Sequence, residues 1–276
     1  MTMTDSRLPL IIEPDQLASE LNTPGVTIVD ICKATTYAQT HIPGAIHIDY
    51  PQFVTAKPPV MGLVPDSEHL AGLLSQAGIQ PTDTIIVYDD EGGGKAARFI
   101  YTLDVIGHEN YSLLNGGLYA WANEGHPLEA KPNKKPPSQY LVKFNPAPVA
   151  TKESIKDQLG NPDLQIIDAR SPEEYSGSKK FAEKGGHIPG AKNIDWVNLM
   201  DQQNNLRLKS PDEIAKILQE RNISTDKPTI VYCQTHHRSA LTYFALKSMG
   251  VSDIKGYPGS WSEWGNSPDT PVETDQ

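Results

Sequence analysis

The stretch whose residue types could do chemistry is Cys233-Gln234-Thr235-His236-His237-Arg238. A cysteine reacts as its thiolate, and the thiolate is favoured by nearby positive charge, by inward-turned loop amides and by the positive end of a helix. The run before it, Thr229-Ile230-Val231-Tyr232, has strand composition; Ser239 to Met249 has helix-forming composition, with apolar Leu241, Phe244, Ala245 and Met249. Cys233 therefore stands where a strand ends and a helix begins, the place where open α/β sheets bind ligands. A single cysteine is often no more than a small buried apolar residue. Here its neighbours are polar and basic, which points to a nucleophile.

The elements that must position this loop are legible because the chain repeats itself. Ile28-Val29-Asp30, Tyr37 and His41-Ile42-Pro43-Gly44-Ala45 in the first half return as Ile166-Ile167-Asp168, Tyr175 and His187-Ile188-Pro189-Gly190-Ala191 in the second. Thr84-Ile85-Ile86-Val87-Tyr88-Asp89 aligns with Thr229-Ile230-Val231-Tyr232-Cys233, and Asn115-Gly116-Gly117-Leu118-Tyr119 aligns loosely with Tyr257-Pro258-Gly259-Ser260-Trp261. A period of about 140 residues is too long for a solenoid and implies a duplicated domain. The Ile/Val-rich runs Thr27 to Asp30, Thr84 to Tyr88, Leu164 to Asp168 and Pro228 to Tyr232 are continuous rather than alternating, as in parallel strands buried on both faces. Ser210-Pro211-Asp212-Glu213 opens a helix, with Ser210 as cap, Pro211 in the first turn and Glu213 closing a capping box. Strand then helix, repeated, gives an α/β class. The repeated His-Ile-Pro-Gly-Ala is turn chemistry, its histidine bonding a loop carbonyl or carboxylate; Asp30, Asp168 and Tyr175 read as structural in the same way.

The expected boundaries are a first domain over 1–126, a linker over 127–150 and a second domain over 151–276. The linker is rich in proline and lysine (Pro132, Pro136, Pro137, Pro146, Lys131, Lys134, Lys135) and reads as extended and semi-rigid. One position breaks the symmetry. Where the second half has Cys233 the first has Asp89, within Asp89-Asp90-Glu91-Gly92-Gly93-Gly94. A carboxylate lacks the thiolate's reactivity and repels anions, so the first domain is expected to be silent. The other cysteine, Cys32, aligns with Arg170, lacks a basic cluster and reads as structural.

Composition narrows the class. The 276 residues are 38% hydrophobic and 21% charged, the mixture of a folded globular protein. A net charge of -10 without a Lys/Arg stripe argues against nucleic acid as a partner. No apolar run has the roughly 18 residues of a membrane span, and Met1 to Arg7 lacks the pattern of a secretion signal. With only two cysteines and hence no disulfide framework, a reducing, cytoplasmic setting is expected.

The tandem His-Ile-Pro-Gly-Ala motifs, the Asp loop then the Cys loop, and the closing Gly259-Ser260-Trp261-Ser262-Glu263-Trp264-Gly265 together resemble the two-domain rhodanese family of thiosulfate and 3-mercaptopyruvate sulfurtransferases. The resemblance covers almost the whole chain. It implies two tandem rhodanese-like α/β domains, each a central, mostly parallel sheet flanked by helices, with only the second active and cycling between thiol and cysteine persulfide. It implies no cofactor. The loop departs from the common versions, Cys-Arg-Lys-Gly-Val-Thr and Cys-Gly-Ser-Gly-Val-Thr, and looks like a variant found among bacterial tandem rhodaneses.

On this reading Cys233 is the catalytic nucleophile, and Arg170, Gln234, Thr235, His236, His237 and Arg238 form the substrate-binding set. Arg238, in the first helical turn, is expected to fork toward anionic oxygens or to brace the loop. Arg170 matches a family position facing the substrate; its alternative is an ion pair with Glu173 or Glu174. His236 and His237 offer hydrogen bonds or charge, and Gln234, Thr235 and the loop amides would cradle the sulfur. The expected partners are a small sulfur donor, a thiophilic acceptor such as cyanide, and a protein acceptor as a further candidate. Thiosulfate is the favoured donor because a dianion gains most from a basic loop. Mercaptopyruvate transfer and a persulfide carrier are the alternatives. A cysteine phosphatase needs five residues between Cys and Arg, and only four separate Cys233 from Arg238. A zinc site needs a fourth ligand that Cys233, His236 and His237 do not find in the sequence.

Overall fold

The computed structural model describes residues 8–274. Two compact units form. Among the described residues, one comprises 8–53, 66–144 and 202–207, and the other comprises 54–65, 145–201 and 208–274. The membership differs from a simple cut at the linker. Residues 54–65, which precede the linker, belong with the cysteine-bearing unit, because the antiparallel strands Thr55–Lys57 and Val60–Leu63 pack on helix Ser260–Trp264. Residues 127–144 of the proline-rich stretch pack on the first unit through bonds such as His41 N–H to Glu129 O at 2.9 Å and Ser138 N–H to Ser75 O at 2.9 Å.

The first unit holds a five-stranded parallel sheet in the order Ile11–Ile12, Tyr111–Leu114, Thr84–Tyr88, Val26–Asp30, Ile46–His47. The second repeats the order with Ile254–Gly256, Thr229–Tyr232, Gln165–Asp168 and Lys192–Asn193, all parallel, and Val149 makes a parallel bridge to Gly256 at the edge. The four continuous apolar runs are thus interior strands, and almost every residue in them is buried. Such runs suit a sheet covered on both faces. Helices Pro211–Glu220 and Arg238–Ser248 form where expected, the former with Ser210 accepting from Glu213 N–H and Glu213 accepting from Ser210 N–H. Among the described residues no helix is long and apolar enough to cross a membrane.

The duplicated motifs perform duplicated tasks. His41 Nδ1 meets Tyr37 O at 2.7 Å and stacks on the Tyr37 ring at 3.9 Å; His187 Nδ1 meets Tyr175 O at 2.9 Å and stacks on Tyr175 at 3.7 Å. Tyr37 and Tyr175 hydroxyls donate to Ala45 O and Ala191 O, closing the Pro-Gly turn. In the cores, Tyr88 and Tyr232 are fully buried, and each phenol oxygen accepts the amide of Ile42 or Ile188. Indole N–H groups of Trp121 and Trp264 donate to Pro127 O and Pro271 O. These buried polar tips are all satisfied, as buried donors must be. The turn motifs therefore lock each sheet to its flanking loop.

Candidate active site

Strand Thr229–Tyr232 is interior to its sheet and delivers Cys233 at its C-terminal end, with helix Arg238–Ser248 beginning five residues later. Cys233 is 1% exposed. Its amide donates to Ser260 Oγ at 3.3 Å and its carbonyl accepts from Trp261 N–H at 2.9 Å. The next carbonyl, Gln234 O, accepts from Ser262 N–H at 3.0 Å. Ser260 Oγ donates in turn to Tyr257 O at 2.7 Å, so the turn before helix Ser260–Trp264 grips the start of the loop. Backbone gripping of this kind fixes the loop without using the side chains that face its mouth.

The loop then bends through His236, whose φ of 54° lies in the left-handed region. Few non-glycine residues adopt that conformation, and histidine is among the more tolerant. The aligned residue of the first unit is Gly92, with φ 90°. His236 is fully buried, and Nδ1 meets Ser239 Oγ at 2.8 Å, which holds the imidazole against the first helical turn. His237 is half-buried, with its ring tilted against Trp196 at 5.8 Å. Gln234 Nε2 donates to Phe181 O at 3.3 Å, and Phe181 itself is exposed with Lys179 Nζ 5.0 Å from its ring centre. Thr235 is half-buried, and its backbone carbonyl packs against Gly62.

The two arginines are both engaged by carboxylates. Arg238 forks onto Glu174, Nη1 to Oε2 at 2.6 Å and Nη2 to Oε1 at 2.8 Å, which is the bracing alternative expected for it. Glu174 is almost wholly buried. Burial works to raise its carboxyl, but the hydrogen bonds and charge of Arg238 outweigh this and hold it below the usual carboxylate range. Burial likewise opposes the Arg238 charge, and Glu174 together with a Cys233 thiolate raises the guanidinium above its ordinary range.

Arg170 departs from the expectation that it faces a substrate. It is 1% exposed, and it pairs with Asp168 (Nη2 to Oδ2 2.6 Å, Nε to both oxygens 3.0 Å) and donates to Gly186 O at 2.7 Å. Its ion-pair partner is thus Asp168, two residues before it at the end of strand Gln165–Asp168, and neither Glu173 nor Glu174. The guanidinium also stacks over Trp261 at 4.4 Å. The Trp261 backbone N–H holds the Cys233 carbonyl, so Arg170 packs on a residue that grips the loop.

Several residues of the site carried no signal in the sequence beyond ordinary roles. Glu174 reads there only as an alternative ion-pair partner of Arg170; in the structure it closes a capping box with Ser171 and braces Arg238. Ser260 and Ser262 belong to the closing motif, whose alignment with Gly117 and its neighbours is loose. The structure shifts that alignment by one residue: Leu118 N–H donates to Asp89 O at 3.0 Å as Trp261 N–H does to Cys233 O at 2.9 Å, so Leu118 answers to Trp261 and Gly117, with φ 54°, to Ser260, with φ 50°.

The first unit's equivalent loop is filled by its own carboxylate. Asp89 is buried at the end of Thr84–Tyr88; Oδ1 accepts from Glu91 N–H at 3.0 Å and Gly93 N–H at 2.9 Å, and Oδ2 accepts from Ala96 N–H at 2.9 Å. A strand end followed by a helix start thus collects amides around an anion in this fold, as backbone nests do. Cys32 is buried beside this loop. Burial first, then the charges of Asp30, Asp89 and Asp90, push its thiol far up, which keeps it protonated and unreactive.

A model of the rhodanese-like domain matches residues 13–124 and again 151–267. The chain is 46% identical over 268 residues to a thiosulfate sulfurtransferase of Pseudomonas aeruginosa, covering 97% of this chain and 98% of that one. It is 47% identical over 266 residues to a thiosulfate sulfurtransferase of Azotobacter vinelandii, covering 96% and 97%. Among solved structures, SseA of Escherichia coli, described as a 3-mercaptopyruvate sulfotransferase, is similar with a TM-score of 0.83 and 29% identity over 92% of this chain and 99% of that one.

Proposed function

The chain belongs to the family of rhodanese-like domain proteins, and from that premise we propose that it is a thiosulfate sulfurtransferase carrying the transferred sulfur as a persulfide on Cys233. The observation that carries the reading is the contrast at one position of a duplicated fold, Cys233 in one loop and the amide-bound Asp89 carboxylate in the other. The first unit is silent because its anion is built in.

In the first half-reaction the Cys233 thiolate attacks the outer sulfur of thiosulfate. The new S–S bond forms as the old one breaks, and sulfite leaves with the bonding pair. In the second, cyanide attacks the outer sulfur of the persulfide, thiocyanate departs, and the Cys233 thiolate returns. Negative charge sits on the loop throughout. By the register of the repeat, the amides equivalent to those of Glu91 and Gly93 are those of Thr235 and His237, and these are the donors assigned to the anionic sulfur. The 11-residue helix Arg238–Ser248 adds its positive end, and Arg238 its field, reduced by Glu174. Gln234, Thr235 and His237 line the mouth; His236, Arg238 and Arg170 hold the loop in shape.

Thiosulfate is preferred over mercaptopyruvate because the relatives at 46% and 47% identity are thiosulfate enzymes, whereas SseA is 29% identical. The physiological acceptor, small molecule or protein, is fixed by the second half-reaction alone. The test is steady-state thiocyanate formation from thiosulfate and cyanide, with mercaptopyruvate as competing donor. Turnover without any partner, lost in Cys233→Ser, is expected. A stable persulfide with negligible turnover would make the protein a carrier instead, and a kcat/KM for mercaptopyruvate more than about tenfold the higher would reassign the donor.

A further inference from the structure

We propose that the hairpin of strands Thr55–Lys57 and Val60–Leu63 is a positioning element of the sulfur-transfer loop, with Gly62 as the residue that sets the Thr235 carbonyl and Ser262 as the bracket joining the two. The proposal rests on the reading that Cys233 transfers sulfur, and it adds residues from ahead of the linker to the site.

Three contacts within the cysteine-bearing unit carry it. Ser262 faces both ways: its backbone N–H donates to Gln234 O at 3.0 Å, while its hydroxyl oxygen accepts from Met61 N–H at 2.9 Å. One residue therefore ties the hairpin and the reactive loop to the same helical turn. Between Met61 and Thr235 the fit is closed. A Cβ on Gly62 would lie 2.0 Å from Thr235 O, 2.6 Å from its carbonyl carbon and 3.0 Å from its Cα. All three are backbone atoms of a loop held at Cys233 and Gln234, so no side chain can swing aside. Gly62 also has φ +77°, a left-handed conformation that glycine takes without strain. Thr235 is the residue whose amide, by the register of the repeat, faces the sulfur. Its carbonyl shares a peptide plane with the His236 amide, which lies between the Thr235 and His237 amides assigned to the sulfur, so a carbonyl pushed by an added methyl shifts the plane that joins those two donors. Displacements of about 1 Å in a catalytic constellation cost on the order of 100-fold in rate.

The experiment compares Gly62→Ala with Gly160→Ala in the full chain. Gly160 has nearly the same φ, +79°, but nothing within 4 Å of a built Cβ. The two variants share the cost of alanine in that conformation, and only one of them meets the loop. Three quantities are read: kcat/KM for thiosulfate, the alkylation rate of Cys233 by iodoacetamide, and the thermal midpoint. Gly62→Ala is expected to lose at least tenfold in kcat/KM, with alkylation slowed in step, while Gly160→Ala stays within twofold of the parent. Ser262→Ala, which removes the bracket without adding atoms, is expected to lose threefold to tenfold with the same slowing of alkylation. Gly62→Ala within twofold of Gly160→Ala in both rates would overturn the proposal. Where Gly62→Ala yields no folded protein, Ser262→Ala within twofold of the parent overturns it instead. A parent protein that forms no thiocyanate refutes the sulfur-transfer reading, and the alkylation rates then still decide whether the hairpin positions the loop.

Discussion

Replacing Arg238 by lysine separates two ways in which this arginine could serve sulfur transfer. Lysine keeps the charge and loses the fork. The two bonds to Glu174, at 2.6 and 2.8 Å, are parallel and both in use, and the side chains are 22% and 4% exposed. A lysine ammonium can keep one of them well aligned. Losing one charge-assisted bond costs about 1.5–3 kcal/mol, and the partial exposure of Arg238 argues for the low end. If that cost falls on the loop geometry required in the transition state, kcat/KM drops about tenfold, since 1.4 kcal/mol is a factor of ten. Glu174→Gln removes the same brace from the other side and should lose a similar factor. The double variant should then be no more than about threefold worse than either single one, because a brace can be removed only once. The assay is thiocyanate formation at varied thiosulfate for the parent, both single variants and the double. A Glu174→Gln enzyme that matches the parent while Arg238→Lys loses tenfold would refute the bracing role and assign Arg238 to the substrate. Fully additive losses, about 100-fold in the double variant, would refute it as well.

Further outcomes follow from the same geometry. Cys233→Ser should hold no cyanide-releasable sulfur after thiosulfate treatment, whereas Cys32→Ala should hold as much as the parent and keep kcat/KM within about twofold, since the Cys32 thiol is buried and kept protonated. Folded Glu174 ionises below its unfolded value of about 4.3, so its contribution to stability is complete above that pH and is lost as pH falls through the folded value. Thermal midpoints measured from pH 6 to pH 3 should accordingly fall less steeply in Glu174→Gln than in the parent, and parallel curves would count against the ion pair. His41→Ala removes a fully buried ring with a stacking and a hydrogen-bonding partner, and should cost about 2–4 kcal/mol in urea unfolding while leaving kcat/KM unchanged. A loss of activity without loss of stability would contradict its structural role.

The sequence alone determined the architecture, because duplication and strand composition are local properties written twice. Four apolar runs gave four interior strands, and Ser210-Pro211-Asp212-Glu213 gave a helix start, since capping depends on residues three apart. It also singled out the candidate reactive position, because aligning Cys233 with Asp89 needs only the order of motifs. The fates of the charged side chains were decided by the tertiary structure. Arg238 meets buried Glu174 only once strand Gln165–Asp168 lies beside Thr229–Tyr232 and helix Pro172–Ser176 follows it, whereas Arg170 pairs with Asp168, two residues before it, rather than with the Glu173 or Glu174 that the sequence suggested. A buried charge requires a partner, and for Arg238 the carboxylate that supplies it is set by distance in space rather than by spacing along the chain. The same holds for Gly62, 173 positions before Thr235 in the numbering of the chain and in backbone contact with it in the fold. In the sequence it is a glycine outside every motif, and only packing gives its missing side chain a purpose.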